Sequence, residues 1–146
     1  MTVTTTGVRA VGVDLGSKRI GLAATDRGGR LAFPWGTVER SADRAADHRA
    51  IATVVRDLEA TTVVVGLPLS LDGGLGPAAR AARDEADELA GVLAVDGVAV
   101  ETFDERLTTV SAEAALAQAG KRGRSRRRVV DSAAAAVLLQ AWLEHR

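Results

Sequence analysis

The chain has 146 residues, no cysteine, and 19 acidic and 19 basic side chains, so its formal net charge is zero. This length suits one domain with a substantial core, and the lack of cysteine excludes disulfide bonds and thiolate metal sites. No apolar run approaches the ~20 residues that a membrane span needs, and residues 1–7 lack the pattern of a signal peptide. We therefore expect a cytoplasmic protein without a membrane partner, with a short flexible N-terminus at 1–7 and a single domain at 8–146.

The first part of the chain predicts three consecutive strands joined by short turns. Val8–Asp14 is rich in Val and Gly, and Arg19–Thr25 alternates apolar residues with a period of two. Leu31–Glu39 is expected at an edge of the sheet or with a bulge, because Pro34 cannot donate a ladder hydrogen bond. Short turns favour antiparallel neighbours.

The rest of the chain alternates between helical and strand patterns and ends in two helices. In chain order we predict a helix at Ala42–Glu59, a strand at Thr61–Gly66, a helix at Pro77–Leu93, a strand at Val98–Phe103, and helices at Thr109–Ala119 and Arg126–Trp142. Helical crossovers favour parallel joins. The order predicts an α/β fold with a five-stranded mixed sheet flanked by helices, its first and last strands near the centre.

Asp14 is the most informative residue of the sequence. It lies in a strand otherwise made of Val and Gly, and a carboxylate there is costly to bury unless it is paired. Gly12, Gly16 and Gly21 surround it, and glycine leaves room for a ligand or another backbone to approach. The pattern indicates a site for a metal ion or a phosphate.

Acidic residues recur at three places that the predicted fold can bring together. Asp14 ends the first strand, Asp104 and Glu105 follow the last strand, and Asp131 lies near the start of the last helix. Two metal ions ~4 Å apart at a phosphoryl group need such a cluster, and oxygen ligands favour Mg²⁺ or Mn²⁺ over Zn²⁺. We predict that these carboxylates form a catalytic two-ion site, and the sequence leaves open which of Asp104 and Glu105 binds metal.

Positive charge is concentrated in one short run. Six of the eight residues from Lys121 to Arg128 are basic. Cations at a helix N-terminus oppose the helix dipole, so the run favours a partner rich in phosphate over a merely solvated segment. The predicted contacts to structured nucleic acid are this run and the cations beside the acidic residues, namely Lys18, Arg19, Arg106, Arg124, Arg126, Arg127 and Arg128.

Four segments resemble the YqgF/RuvX family of Holliday junction resolvases, which have an RNase H-like fold. They occur in the family's order over nearly the whole chain: Gly12–Gly21, Val65–Leu69 followed by Asp72-Gly73, Asp104–Thr109, and Asp131–Ala134. The resemblance maps the family's first acidic position onto Asp14, its helical one onto Asp131, and its middle one onto the Asp104-Glu105 pair. The family often has Asn where this chain has Ser70.

The resemblance implies a metal-dependent nuclease, a hydrolase with one of two substrates. These are the 5′ end of precursor 16S ribosomal RNA and a four-way DNA junction. Junction resolution needs two matched nicks and so favours a symmetric dimer, whereas RNA trimming does not. Because the sequence shows no evident dimer surface, we expect a monomer or weak homodimer that processes ribosomal RNA, with junction resolution as the alternative.

Two further functions compete with the nuclease. An actin-like ATPase or kinase also has an Asp-x-Gly turn after its first strand, as in Asp14-Leu15-Gly16, but it places its nucleotide between two such domains and this chain has length for one. A non-catalytic ribosome-assembly factor would bind nucleic acid without cleaving it. The presence of every predicted acidic position favours the enzyme.

Several other residues have simpler interpretations. His48 and His145 are expected at the surface, and Trp35 and Trp142 in packing, although Trp35 near a sheet edge is also placed to stack on a base. The Gly-rich loop at 67–76 is interpreted either as a plain crossover or as a segment facing the substrate, because ligands of open α/β sheets bind beyond the strand ends.

Overall fold

The computed structural model describes residues 7–108 and 123–146, and for residues 123–131 it describes the course of the helix without the side chains. The helix predicted at Thr109–Ala119 therefore lies outside the described residues. The other predicted helices and strands are all present, with ends that shift by up to three residues.

Five strands form one mixed sheet, as predicted. They are β1 (Ala10–Leu15), β2 (Arg19–Thr25), β3 (Ala32–Glu39), β4 (Thr62–Leu67) and β5 (Ala99–Asp104), in the order β3-β2-β1-β4-β5. The two turn-connected pairs are antiparallel, and the pairs β1–β4 and β4–β5 are parallel. The first strand is central, but the prediction that the last strand also lies near the centre is wrong, because β5 adds outside β4 at the edge.

Three described helices cover the sheet on both faces. They are α1 (Arg44–Asp57), α2 (Pro77–Leu93) and α3 (Gly123–Glu144). One core lies between the sheet and the first two helices and includes Val13, Ile51 and Leu89. The second lies on the opposite face against α3 and includes Ala135 and Leu139. In the part of the chain that the structure describes, no helix is both long and apolar enough to cross a membrane.

The edge strand β3 is irregular, as Pro34 predicts. Its register with β2 shifts between Leu22 and Ala23, opposite the segment that contains Pro34. Trp35, in this segment, is 45% exposed, whereas Trp142, which belongs to α3, is packed in the core between that helix and the sheet. The expectation of packing therefore holds for Trp142 and is wrong for Trp35, whose side chain is exposed on the edge strand.

Close approach of α3 to the sheet depends on Gly12. A Cβ atom at this position would lie 2.8 Å from the carbonyl oxygen of Ala135 and 2.9 Å from the Cβ of Leu139. Real Cβ atoms do not come this close to backbone atoms, so any side chain on the strand here would push the helix away. Small residues on both partners set the distance between these layers.

We expect Gly12→Ala to lower the free energy of unfolding by about 1–3 kcal/mol, since overpacking forces the backbone to shift. Gly36→Ala is the matched control, because a Cβ atom at this strand glycine meets nothing within 4 Å. Denaturant unfolding of both variants measures the difference. Equal stability of the two variants would contradict the role of Gly12 as a packing contact.

Candidate active site

Asp14 and Glu105 lie beside one another at the carboxyl ends of the parallel strands β1, β4 and β5. Asp14 is the next-to-last residue of β1, and Glu105 begins a short 3-10 turn, Glu105–Leu107, directly after β5. Strand β4 lies between them, but Gly66 on β4 has no side chain. A Cβ atom there would lie 2.6 Å from Oε1 of Glu105, so the Glu105 side chain crosses the space that the glycine leaves.

The environment of Glu105 is electrostatically unfavourable for a carboxylate. Burial raises its pKa above the ordinary glutamate value, and the negative charges of Asp14 and Asp104 raise it further. A carboxyl group whose pKa is raised by burial and by a like charge is typical of functional sites. A cation between Asp14 and Glu105 would relieve this repulsion.

The environment of Asp104 differs from that of Glu105. Its carboxylate accepts hydrogen bonds from the backbone N–H of Arg106 at 2.9 Å and from the Arg106 Nε at 3.0 Å. These bonds hold the pKa of Asp104 below its ordinary value. Arg106 also donates to the carbonyl oxygen of Leu71 at 3.2 Å, so this ion pair fastens the loop at 67–76 to the end of β5.

The loop at 67–76 is organised by its own hydrogen bonds. The Ser70 hydroxyl lies within hydrogen-bonding distance of the Asp72 carboxylate and of the carbonyl oxygen of Gly74, the latter at 3.0 Å. The backbone N–H of Gly74 donates to the Asp72 carboxylate at 2.8 Å. Ser70 therefore connects the two sides of this loop.

The course of α3 brings the position of Asp131 towards the same end of the sheet. The Gln140 side chain bonds to the backbone of Ala32 and Arg30, where β3 begins, and Ala135 lies against Gly12 in the middle of β1. Continuing one turn from Ala135 towards the start of the helix leads to Asp131 and to the carboxyl end of β1. The Asp131 side chain, like those of Arg124, Arg126, Arg127 and Arg128, lies outside the described residues.

The cations near Asp14 lie in and after its turn. Lys18 is exposed, and its carbonyl oxygen accepts a hydrogen bond from the backbone N–H of Arg40 at 3.0 Å. The Arg19 guanidinium lies 3.4 Å from the carboxylate of Glu39. Among the side chains that the structure describes, no three acidic, histidine or cysteine residues form a metal-binding group.

A cavity of about 590 Å³ opens in front of the two carboxylates. Asp14 and Glu105 line one part of it, and Arg40, Arg44 and Glu85 line another. Apolar parts of its wall come from the loop after β4 and from the first turns of α2, where the lining residues are Pro68, Ala78, Ala81 and Ala82. The sequence does not predict either arginine or Glu85 in this site.

A buried ion-pair network supports the cavity wall. The Arg40 guanidinium donates to both carboxylate oxygens of Glu85, at 2.7 and 2.9 Å, and its Nε donates to the carbonyl oxygen of Gly16 at 2.8 Å. The ring of His48 lies 2.8 Å from the same carboxylate. This network ties the turn after Asp14 to both α1 and α2.

The surface position expected for His48 is wrong. Its side chain is 2% exposed because Glu85 of the neighbouring helix covers and partners it. The signal that could have revealed this contact is the position of Glu85 itself. It occurs between Ala82 and Leu89 at helical spacing, on the apolar stripe of α2 that faces the core. His145 is exposed, as predicted.

We expect Glu85→Gln to lower the free energy of unfolding by about 3 kcal/mol at pH 7, because it leaves the Arg40 charge poorly compensated. Burial raises the pKa of Glu85, but hydrogen bonds from Arg40 and His48 outweigh it, and the net pKa lies below the ordinary value of 4.5. The unfolded chain therefore takes up this proton first as the pH falls. The stabilisation is complete above pH 4.5 and is lost as the pH falls through the folded-state pKa.

The deficit of the Glu85→Gln variant should accordingly shrink in acid. Denaturant unfolding at pH 7 and at successively lower pH values measures it. Glu88→Gln is the control, since Glu88 lies on the same helix and its side chain is 53% exposed. A deficit that stays constant with pH would contradict the contribution of the Glu85 charge.

Comparison with known proteins identifies the family. The family model described as "RuvX: Holliday junction resolvase" matches residues 8–145. A protein of Mycobacterium ulcerans (strain Agy99) named "Putative pre-16S rRNA nuclease" is 48% identical over 139 residues, covering 94% of this chain and 79% of that protein. A protein of the same name from Anaeromyxobacter sp. (strain K) is 50% identical over 139 residues, covering 95% and 98% of the two chains.

Solved structures share the fold at low sequence identity. The RuvC protein of T. thermophilus, solved in complex with a Holliday junction substrate, has a TM-score of 0.56 at 15% identity and covers 94% of this chain and 96% of its own. The yeast mitochondrial Holliday junction resolvase Ydc2 has a TM-score of 0.51 at 10% identity, with 94% and 78% covered. The mixed sheet flanked by helices is thus an RNase H-like fold, and the chain belongs to the RuvX family.

Proposed function

We propose that this chain is a divalent-metal-dependent endonuclease that hydrolyses phosphodiester bonds in structured nucleic acid, with one nuclease domain at 8–146. The observation that carries the proposal is the pairing of Asp14 and Glu105 in one cavity, where burial and the Asp14 charge raise the pKa of Glu105. Membership of a family described as Holliday junction resolvases, with relatives named as nucleases, supports it.

The residues of this site fit a hard divalent cation. Both side chains offer carboxylate oxygens, the donors that Mg²⁺ and Mn²⁺ prefer. Asp14 and Glu105 would hold the metal, and Asp131 would join them from α3 as the third ligand. When bound, one such cation or a pair of them would supply positive charge that stabilises the transition state of phosphoryl transfer.

We assign different roles to Asp104 and Glu105. Glu105 lies against Gly66 and lines the cavity, so its oxygens are available to a cation. Asp104 is committed to Arg106, which in turn holds the loop at Leu71. Asp104 is therefore a positioning residue that orients the start of the 3-10 turn, and Glu105 is the metal ligand of the pair.

Precursor 16S ribosomal RNA is the substrate that we propose, with cleavage at its 5′ end. The names of the relatives at 48% and 50% identity support this choice over branched DNA. A single cut needs one active site, so a monomer or weak homodimer suffices. A four-way DNA junction is the alternative substrate, supported by the description of the family.

The decisive experiment is a cleavage assay with Mg²⁺ or Mn²⁺ on a labelled 16S precursor 5′ leader and on a four-way DNA junction. We expect Asp14→Asn and Glu105→Gln each to lower the cleavage rate on the order of 100-fold or more, because each removes charge stabilisation. Asp104→Asn should cost about tenfold, as is typical of a residue that orients a ligand. Calorimetry should show weaker binding of Mn²⁺ to the first two variants.

Each outcome of the cleavage assay has a distinct meaning. Cleavage of the leader supports ribosomal RNA processing, and cleavage of the junction alone replaces it with junction resolution. A larger loss in Asp104→Asn than in Glu105→Gln would reverse the two assignments. Equal binding by wild type and Asp14→Asn, with no cleavage of either probe, would instead indicate a non-catalytic assembly factor.

We also propose that the basic run at 121–128 binds the phosphate backbone of the substrate, as do Lys18, Arg19 and Arg106 near the acidic residues. Replacing Arg126, Arg127 and Arg128 with Ser should weaken RNA binding and flatten its salt dependence, because fewer counterions are released. Binding measured by fluorescence anisotropy over a salt series tests this. An unchanged slope would remove the run from the nucleic-acid interface.

A further inference from the structure

The cavity is also lined by two arginines, Arg40 and Arg44. A metal site at Asp14 and Glu105 does not explain why they are there. Arg44 is the first residue of α1, and its side chain lines the same cavity as Asp14 and Glu105. It is 48% exposed, whereas the Arg40 side chain, which lines the cavity beside it, is 20% exposed. Arg44 is therefore the more accessible of the two guanidinium groups that face this space.

The carboxylate of Glu85 is already committed to other groups. It accepts two hydrogen bonds from Arg40 and lies within hydrogen-bonding distance of His48. The Nε of Arg44 lies 3.8 Å from it, which is beyond hydrogen-bonding distance. Arg40 thus compensates the buried charge of Glu85, and Arg44 makes only a long ion pair with it.

The nearer partner of Arg44 is exposed and replaceable. Its Nε lies 3.2 Å from a carboxylate oxygen of Glu88, whose side chain is 53% exposed. An ion pair in such a solvated setting contributes little to stability. A phosphate offers more acceptor oxygens and matches the planar guanidinium fork, so it can take the place of Glu88.

We propose that Arg44 binds a backbone phosphate of the nucleic-acid strand that enters the cavity, and that Glu88 competes with this phosphate for the guanidinium group. The inference rests on the proposed function and names a substrate contact of the same site. Arg40 remains a positioning residue of the wall, because its donors hold Glu85 and the carbonyl oxygen of Gly16.

Substituting Arg44 and Glu88 one at a time tests the proposal, because the two possible roles of their ion pair predict different changes in nucleic-acid affinity. If the pair only stabilises the fold, Arg44→Gln and Glu88→Gln remove the same interaction and change nucleic-acid binding in the same direction. If Arg44 binds phosphate, Arg44→Gln weakens binding, whereas Glu88→Gln frees the guanidinium group and strengthens it. A general effect of net charge has the same two signs, so the Arg49→Gln control and the neutral-linkage substrate described below separate it from a phosphate contact at Arg44.

The experiment measures binding of the 16S leader and the DNA junction by fluorescence anisotropy over a salt series, with Mg²⁺ and in the Asp14→Asn background to prevent cleavage. Arg44→Gln should weaken binding about tenfold or more and make the salt slope shallower by about one unit. Glu88→Gln should tighten binding roughly two- to fivefold, the range of an exposed ion pair.

Arg49→Gln is the matched control for the loss of one positive charge. Arg49 lies on the same helix and is 65% exposed, but it pairs with Asp43 and does not line the cavity. We expect its binding to stay close to that of the parent. Thermal unfolding of each variant checks that the fold is intact.

A substrate with one neutral methylphosphonate linkage, moved along the strand, then locates the contact. At one position the parent and Arg44→Gln should bind equally well, because the phosphate charge that the arginine recognises is gone. If Arg44→Gln behaves like Arg49→Gln, or if Glu88→Gln weakens binding, the inference is overturned while the proposed function stands. If the parent binds neither probe, both are overturned.

Discussion

The lack of side chains at Gly12 and Gly66 is the constraint on which the site depends. The first glycine lets α3 approach the central strand until the Ala135 backbone nearly touches it. The second lets Glu105 reach across β4 towards Asp14. Side chains alternate between the two faces along a strand, and both glycines lie on the same face of the sheet as Asp14. The close packing of α3 and the approach of Glu105 to Asp14 therefore both depend on the absence of a side chain on this face.

Electrostatics divides the charged residues of this region into two groups. Glu85 and His48 are buried, Arg40 is half-buried, and the three satisfy one another, which fixes the turn after Asp14 between two helices. At the neighbouring pair, burial and the charge of Asp14 raise the pKa of Glu105. A protein selected for stability alone would not keep such a pair, and the well-satisfied network beside it holds the unfavourable arrangement in place.

The sequence predicted local structure well and pairing between distant elements less well. Arg19–Thr25 and Pro77–Leu93 have the predicted bounds, because alternation and a proline start are local signals. The place of β5 in the strand order could not be predicted from the sequence, because a helical crossover can add a strand on either side of the strands already in the sheet. Asp104 and Glu105 could not be told apart, because alternation ends where the 3-10 turn begins. The burial of His48 could not be predicted, because its partner, Glu85, lies on another helix.

The contact between Gly12 and α3 joins segments that are far apart along the chain and therefore constrains the order of folding. During synthesis the central strand emerges well before Ala135 and Leu139, the residues that cover this face of it. Such long-range contacts form late and slowly. A nascent chain that lacks α3 would leave this face of the sheet uncovered, so the proposed carboxylate site would be completed only once α3 has been synthesised.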